Sequence, residues 1–294
     1  MSLIGAVEAG GTKFVLALGD EAGGIRAIAR IPTETPDVTM RAMADFFRAA
    51  QAEHGPIGAF GIGSFGPIQL DRRAENWGAI TTTTKAHWSG ASYPQALAEF
   101  GVPLAVDTDV NAAALGEWIA GAGQGAASLA YTTVGTGIGG GVLRDGVPVM
   151  GIAHLECGHL RQPRVDGDTF AGVCSYHGDC VEGLASGPAI MARWGASLDR
   201  LGAAELDTIA HYLADYAAAM VLLHMPERLI FGGGVSKAPG LIPAIRRLTE
   251  VRLAGFVDHP ALDPGLERYL VTPGLGDDAG IRGAIELGRR VLPA

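Results

Sequence analysis

The pattern that most restricts the fold of this chain occurs twice: a short apolar strand, a glycine-rich turn and a second strand. The first copy runs Leu3–Val7, then Glu8-Ala9-Gly10-Gly11-Thr12-Lys13, then Phe14–Leu18. The second runs Ser128–Val134, then Gly135-Thr136-Gly137-Ile138-Gly139-Gly140-Gly141, then Val142-Leu143, turned by Asp145-Gly146. Two apolar runs around a glycine turn read as a β-hairpin. Gly11-Thr12-Lys13 lacks the spacer of a P-loop. Gly135, Gly137 and Gly140 match G-x-G-x-x-G, but strand follows where a dinucleotide fingerprint needs a helix. Paired glycines still let backbone N–H groups come close to a phosphate, and two such turns facing each other would clamp a polyphosphate. Glu8 can orient a hydrated Mg²⁺. On the first hairpin alone, a plain turn with a solvated glutamate is the simpler account.

A second concentration of chemistry lies between Glu156 and Glu182. Cys174, His177 and Cys180 stand at x2 spacings in a polar turn, and His159 lies upstream across a loop. A close trio with a distant partner is the composition of a closed, tetrahedral structural zinc site, which leaves the metal no open position for catalysis. Two buried cysteines and a solvated histidine are the bland alternative, disfavoured by the polar Gly/Asp surroundings. Glu156 and Glu182 bracket the stretch and would become fixed acceptors for hydroxyls. Cys157 falls outside the set and reads as a small buried residue. Because these ligands lie far in sequence from both glycine turns, zinc is expected to support the hydroxyl contacts more than the phosphate contacts.

The rest of the chain reads as α/β. A helix is predicted from Thr35-Pro36-Asp37 to about Glu53, with Met40, Met43, Phe46 and Phe47 on its apolar side. Strands are predicted at Ile57–Ile62 and Val102–Val106, the second ending in Asp107-Thr108-Asp109-Val110-Asn111 before a helix. Asp107 and Asp109 cannot both cap that helix, so one points elsewhere. Glu205–Met225 reads as a long helix stopped by Pro226, with Ile209, Leu213, Tyr216 and Met220 in the core. Gly232-Gly233-Gly234 breaks a strand at Arg228–Phe231; the glycines leave room for a flat ring on the backbone or for tight strand–helix packing. Asp277-Asp278 is expected to cap a final helix. A chain of 294 residues with 48% hydrophobic content can bury a large core, in two lobes. A net charge of −9 argues against a broad nucleic-acid surface. Three cysteines argue against a disulfide framework. No signal segment or membrane-length apolar run is read, so the cytoplasm is the expected location and no membrane partner is expected.

Together these motifs resemble the ROK family of bacterial sugar kinases and repressors, within the actin/hexokinase/Hsp70 superfamily. Glu8–Lys13 is similar to the family's first phosphate motif, in which many relatives carry aspartate where Glu8 stands. Thr133–Gly141 resembles the second phosphate motif, Gly232–Val235 the adenosine motif, and Glu156-Cys157-Gly158-His159 the family's E-x-G-H. Cys174–Glu182 resembles its zinc motif, with His177 in place of one cysteine, a variant similar to the ROK fructokinases. The resemblance implies a two-lobed, actin-like, ribonuclease-H-like α/β fold with an interlobe cleft. Its lobes would be residues 1–107 plus 278–294, and 108–277. It implies ATP with Mg²⁺, held at Gly10, Gly11, Thr12, Lys13, Thr133, Gly135, Thr136, Gly137, Gly232, Gly233 and Gly234, with Glu8 a candidate magnesium contact. Structural zinc would sit on His159, Cys174, His177 and Cys180. Asp109 would be the general base, and Asn76, Asn111, Glu156, His159 and Glu182 would hold a hexose, His159 serving both roles only if each ring nitrogen takes one. The implied activity is 6-phosphorylation of fructose by a homodimer. Mannose, glucose or N-acetylmannosamine are the alternative substrates, and a non-catalytic sugar sensor the alternative role. ROK repressors carry a helix-turn-helix ahead of the first phosphate motif, for which a motif at residue 8 leaves no room.

Overall fold

The structure, a computed structural model, describes residues 2–262 and 264–293. In chain order the elements are β1 (Leu3–Ala9), β2 (Lys13–Asp20), β3 (Ile25–Pro32), α1 (Pro36–His54), β4 (Ile57–Ser64), α2 (Tyr93–Ala96), β5 (Leu104–Thr108) and α3 (Asp109–Ala120). They continue with β6 (Ser128–Val134), β7 (Ile138–Arg144), β8 (Val147–Pro148), α4 (Val181–Ala185), α5 (Gly187–Trp194) and α6 (Ala203–His224). The last are β9 (Arg228–Gly232), α7 (Leu241–Leu253), β10 (Leu270–Val271) and α8 (Ala279–Arg289). The chain forms two compact units. One holds the residues up to Ile119, Met150–His154 and those from Asp278 onward; the other holds Ala120–Val149 and Leu155–Asp277.

The first unit is built on a five-stranded sheet in the order β3-β2-β1-β4-β5. Alternation along β2 loads both faces. Phe14, Leu16 and Leu18 pack with Met40, Met43 and Phe47 of α1, while Val15 and Ala17 pack with Ile281, Ala284 and Ile285 of α8. Each such large side chain, fully buried, contributes about 1.5–3 kcal/mol. Glycine lets α8 lie directly on the sheet: a Cβ at Gly61 would stand 1.9 Å from the Ala284 carbonyl oxygen. The same device ties α3 to α8, since a Cβ at Gly283 would meet the Ala112 oxygen at 1.6 Å. A lobe boundary expected after residue 107 therefore falls after Ile119, with α3 kept in the first unit.

The second unit has a five-stranded sheet in the order β10-β9-β6-β7-β8. Matching β6 to β1, β7 to β2 and β9 to β4 gives the same topology: a glycine-turned antiparallel hairpin with parallel strands beside its first member. The repeat seen in the sequence is thus a repeat of the whole sheet. Ile209, Leu213, Tyr216 and Met220 of α6 enter the core with Ala130, Val134, Leu229 and Phe231, as their spacing predicts. β7 begins at Ile138, not Val142, because Gly139–Gly141 lie in the ladder opposite Tyr131–Thr133. Gly140 makes room there for Tyr216, whose hydroxyl would stand 2.5 Å from a Cβ. Among the described residues no helix is long and apolar enough to cross a membrane.

Candidate functional site

In the first unit the C-terminal ends of β1, β4 and β5 finish in register. Glu8 pairs with Gly63 and Gly63 with Asp107, while Ala9 pairs with Ser64 and Ser64 with Thr108. Open α/β sheets bind ligands at such ends. The choice of cap at α3 is resolved by neither aspartate: Thr108 Oγ1 accepts the Asn111 N–H at 3.1 Å. Asp107 Oδ1 accepts from Thr108 N and Asn111 Nδ2, both at 2.7 Å. Burial pushes the Asp107 carboxyl up and these bonds pull it back. Asn111 is therefore an oriented amide with its oxygen left over, and Asp109 starts the helix with Oδ1 on the Val110 N–H at 2.9 Å.

Glu8 lies close to Asp109. Burial first, and then the Asp109 charge, push the Glu8 carboxyl up to about 7, while Lys13 pulls it down. Its Oε2 is buried and has no hydrogen-bond partner among the described residues. A Cβ at Gly280, in the first turn of α8, would touch the Glu8 carboxyl carbon at 2.5 Å. An orphan carboxylate oxygen beside a second carboxylate is satisfied by a proton or by a cation, so the residues fit a hydrated Mg²⁺. Asp278 has no side-chain capping bond on α8, contrary to the expected cap, and its charge also bears on Glu8. Asn76 is exposed in a turn, its carbonyl taking the Ala79 N–H at 3.0 Å.

His154 is a residue the sequence reading overlooks. It is 9% exposed, and its Nε2 accepts the Ile68 N–H at 3.1 Å, which holds the loop after β4. An accepting Nε2 puts the ring proton on Nδ1. The only signal in the sequence is its place two residues before Glu156.

The glycines of the three motifs divide into two kinds. Gly233 has φ +87°, and a Cβ there would strike Val134 O at 2.4 Å; at Gly232 a Cβ would strike the Tyr131 hydroxyl at 2.2 Å. The fold itself needs both. Gly11 and Gly234 have no positive φ and nothing within 4 Å of a Cβ, and at Gly135 a Cβ would meet only the Gly234 nitrogen, at 3.9 Å. Neither φ nor packing demands glycine at these three positions, and their bare backbone leaves room for a ligand to approach closely. Gly135 and Gly234 adjoin, so the β6–β7 turn and the glycine run after β9 meet in one unit. Beside them lies a cavity of about 420 Å³ lined by Gly187, Met191, Ser197, Asp199, Gly234 and Lys237. Most of its lining comes from helical segments with no motif of their own.

The His/Cys cluster forms as expected, with the ligand atoms of His159, Cys174, His177 and Cys180 all within 4.8 Å of one another. Cys174 Sγ stands 3.7 Å from Nδ1 of both His159 and His177, and Cys180 Sγ 3.5 Å from His159 Nδ1. Zn–S of about 2.3 Å and Zn–N of about 2.0–2.1 Å give a tetrahedral S···N edge of about 3.6 Å. The set fits a closed N₂S₂ metal centre. Burial first pushes the Cys180 thiol up to about 11, so metal binding must displace a proton. His159 turns Nδ1 to the cluster and Nε2 toward Glu156 Oε2 at 3.9 Å, so a metal contact and a hydroxyl contact would fall on different nitrogens. Cys157 lies outside the set; burial pushes its thiol up to about 11.

Despite its distance in sequence, the cluster lies close to the β6–β7 turn. Glu182 Oε2 accepts the Ile138 N–H at 2.9 Å, and a Cβ at Gly158 would stand 1.7 Å from the Ile138 oxygen.

The chain matches the ROK family model over residues 4–291. A fructokinase from Zymomonas mobilis is 43% identical over 97% of this chain and 96% of its own length. A putative fructokinase from Bacillus subtilis is 39% identical over 99% and 97%. A ROK glucokinase from Streptomyces griseus, solved with glucose and AMPPNP, superposes with a TM-score of 0.74 at 26% identity, over 98% of this chain and all of that one. Two repeated sheets of this topology, carrying glycine turns and a strand-end aspartate, define an actin-like sugar kinase fold. The chain belongs to the ROK family.

Proposed function

We propose that this protein is an ATP-dependent hexose kinase whose substrate is D-fructose and whose product is fructose 6-phosphate. The observation that carries the reading is Asp109: an aspartate at a strand end, on a helix start fixed by Thr108, beside an oriented Asn111. The 6-hydroxyl oxygen bonds to the γ-phosphorus, the bond to the ADP oxygen breaks, and Asp109 takes the hydroxyl proton. Phosphoryl transfer asks for positioning more than for a strong base. Gly10, Gly11, Thr12, Lys13, Thr133, Gly135, Thr136 and Gly137 hold phosphates. Gly232, Gly233 and Gly234 with the adjoining cavity take the adenosine. Glu8 would orient the water shell of a Mg²⁺ bound with ATP, an ion that would supply neutralisation of charge on the phosphate oxygens. Asn111, Glu156, His159 Nε2 and Glu182 engage sugar hydroxyls, with Asn76 at the rim. The N₂S₂ cluster holds one structural zinc. Fructose, rather than another hexose, rests on the fructokinase relatives and on the Cys-Ser-Tyr-His variant of the zinc motif. The reading extends to a cytoplasmic enzyme acting as a homodimer.

Asp109→Asn tests the central assignment. Its kcat is expected to fall about 10²–10⁴-fold, with fructose affinity and melting temperature near those of the parent. A variant that keeps the parental kcat removes Asp109 from the chemistry.

A further inference from the structure

The turn between β6 and β7 is held from outside at three backbone atoms. Gly187 N, at the start of α5, donates to Gly135 O at 2.8 Å. Glu182 Oε2 accepts from Ile138 N at 2.9 Å. Gly158 lies so close to Ile138 O that a Cβ would stand at 1.7 Å. Within the turn, Gly135 N is already spent on Gly137 O at 2.9 Å. The Thr136 and Gly137 N–H groups enter none of these bonds and are the ones left to face a ligand. The fit at Glu182 is close: a Cβ at Gly137 would be 2.7 Å from its Oε2, so glycine there lets the carboxylate reach Ile138.

Two of the three contacts, those of Gly158 and Glu182, come from the segment that carries the metal-ligand cluster. Gly158 precedes His159. Glu182 sits in the first turn of α4, whose cap is Cys180, with Sγ accepting the Gly183 N–H at 3.4 Å. A sugar contact alone does not explain this arrangement. One carboxylate oxygen is committed to the backbone of the phosphate turn, and only Oε1 is left for a hydroxyl. A bare carboxylate beside a phosphate site repels the anion, whereas one bonded to a turn N–H fixes the turn's remaining donors before the ligand arrives.

We propose that Glu182 is a positioning residue for the nucleotide-binding turn Gly135–Ile138, and that the His/Cys cluster acts on nucleotide affinity through it. The proposal rests on the assignment of that turn to ATP phosphates. In the absence of the bond the turn gains conformations that the nucleotide must remove, and a charge-assisted hydrogen bond of this kind corresponds to about tenfold or more in affinity.

The test is calorimetric titration of a non-hydrolysable ATP analogue with Mg²⁺ into the metal-loaded, full-length protein, with no sugar present. Glu182→Ala is expected to bind it about tenfold more weakly than the parent. Glu182→Gln keeps a carbonyl that accepts from Ile138 and is expected to stay within about threefold. Glu182→Asp keeps the charge but is one methylene short, so it should resemble the alanine variant; it also serves if the alanine variant does not fold. Stripping the metal with a chelator and repeating the titration is expected to weaken binding too. Parental nucleotide affinity in the alanine and aspartate variants, with only fructose affinity lost, overturns the proposal and leaves Glu182 a sugar contact. A parent protein that binds no nucleotide overturns the ATP assignment itself.

Discussion

Replacing Glu8 by glutamine removes one titration from a buried site and nearly nothing else, so its effect can be worked out in advance. The folded-state pKa rises from 4.5 to about 7, chiefly through burial and then through Asp109. That displacement, at about 1.36 kcal/mol per unit, amounts to about 3 kcal/mol. The sign follows from which state holds the proton. Between pH 4.5 and about 7 the folded protein keeps a proton on Glu8 that the unfolded chain has lost. The contribution of protonated Glu8 is complete below about pH 4.5 and is lost as pH rises through about 7. Glutamine keeps the shape and an acceptor for the Ile281 N–H, but it does not ionise. Urea denaturation of parent and Glu8→Gln from pH 4.5 to 8.5, without nucleotide or Mg²⁺, should give stability curves that converge at the acid end. By pH 8 the variant should be more stable by about 3 kcal/mol. Taking the difference between curves cancels the carboxylates that do not interact with Glu8, while Asp109 and Asp278, whose charges bear on it, stay part of the difference. Curves that stay parallel across the range would refute the buried, proton-holding Glu8.

Gly11→Ala separates fold from ligand. With no positive φ and nothing within 4 Å of the new Cβ, it should leave stability within about 0.5 kcal/mol of the parent while raising the ATP KM; a stability loss with unchanged ATP KM would contradict the ligand account of that glycine. Protein purified without chelator should carry about one zinc per chain by elemental analysis. Cys174→Ser should lose it and lower the melting temperature, and full zinc occupancy in that variant would show that the ion lies elsewhere.

Several features were legible in the sequence because the responsible residues are close together in it. Glycine turns between apolar runs, a Pro-initiated α1 and a Cys-x2-His-x2-Cys trio each encode their geometry locally. The sequence reading does not contain β3: it is an edge strand on which half-buried and exposed residues alternate, with Arg26 and Arg30 on its exposed face. β10 is two residues long and exists only because β9 lies beside it. The glycines of β7 read as turn, yet they are strand, paired with Tyr131–Thr133, and at Gly140 the missing side chain makes room for Tyr216, far along the chain. The bond from Glu182 to Ile138 spans 44 residues and has no periodic signature, which is why the cluster and the phosphate turn read as independent. His154 is a single histidine in an unpatterned stretch, and its partner is a backbone N–H that no side-chain pattern reveals.

The central claim is most directly tested by a coupled ADP-release assay over D-fructose, D-mannose, D-glucose and N-acetyl-D-mannosamine with saturating ATP and Mg²⁺. Fructose is predicted to give the highest kcat/KM, with mannose second and the phosphate on the 6-hydroxyl. A clearly higher kcat/KM on glucose or N-acetylmannosamine would contradict the fructose assignment, and no ADP release with any of the four would contradict the kinase itself.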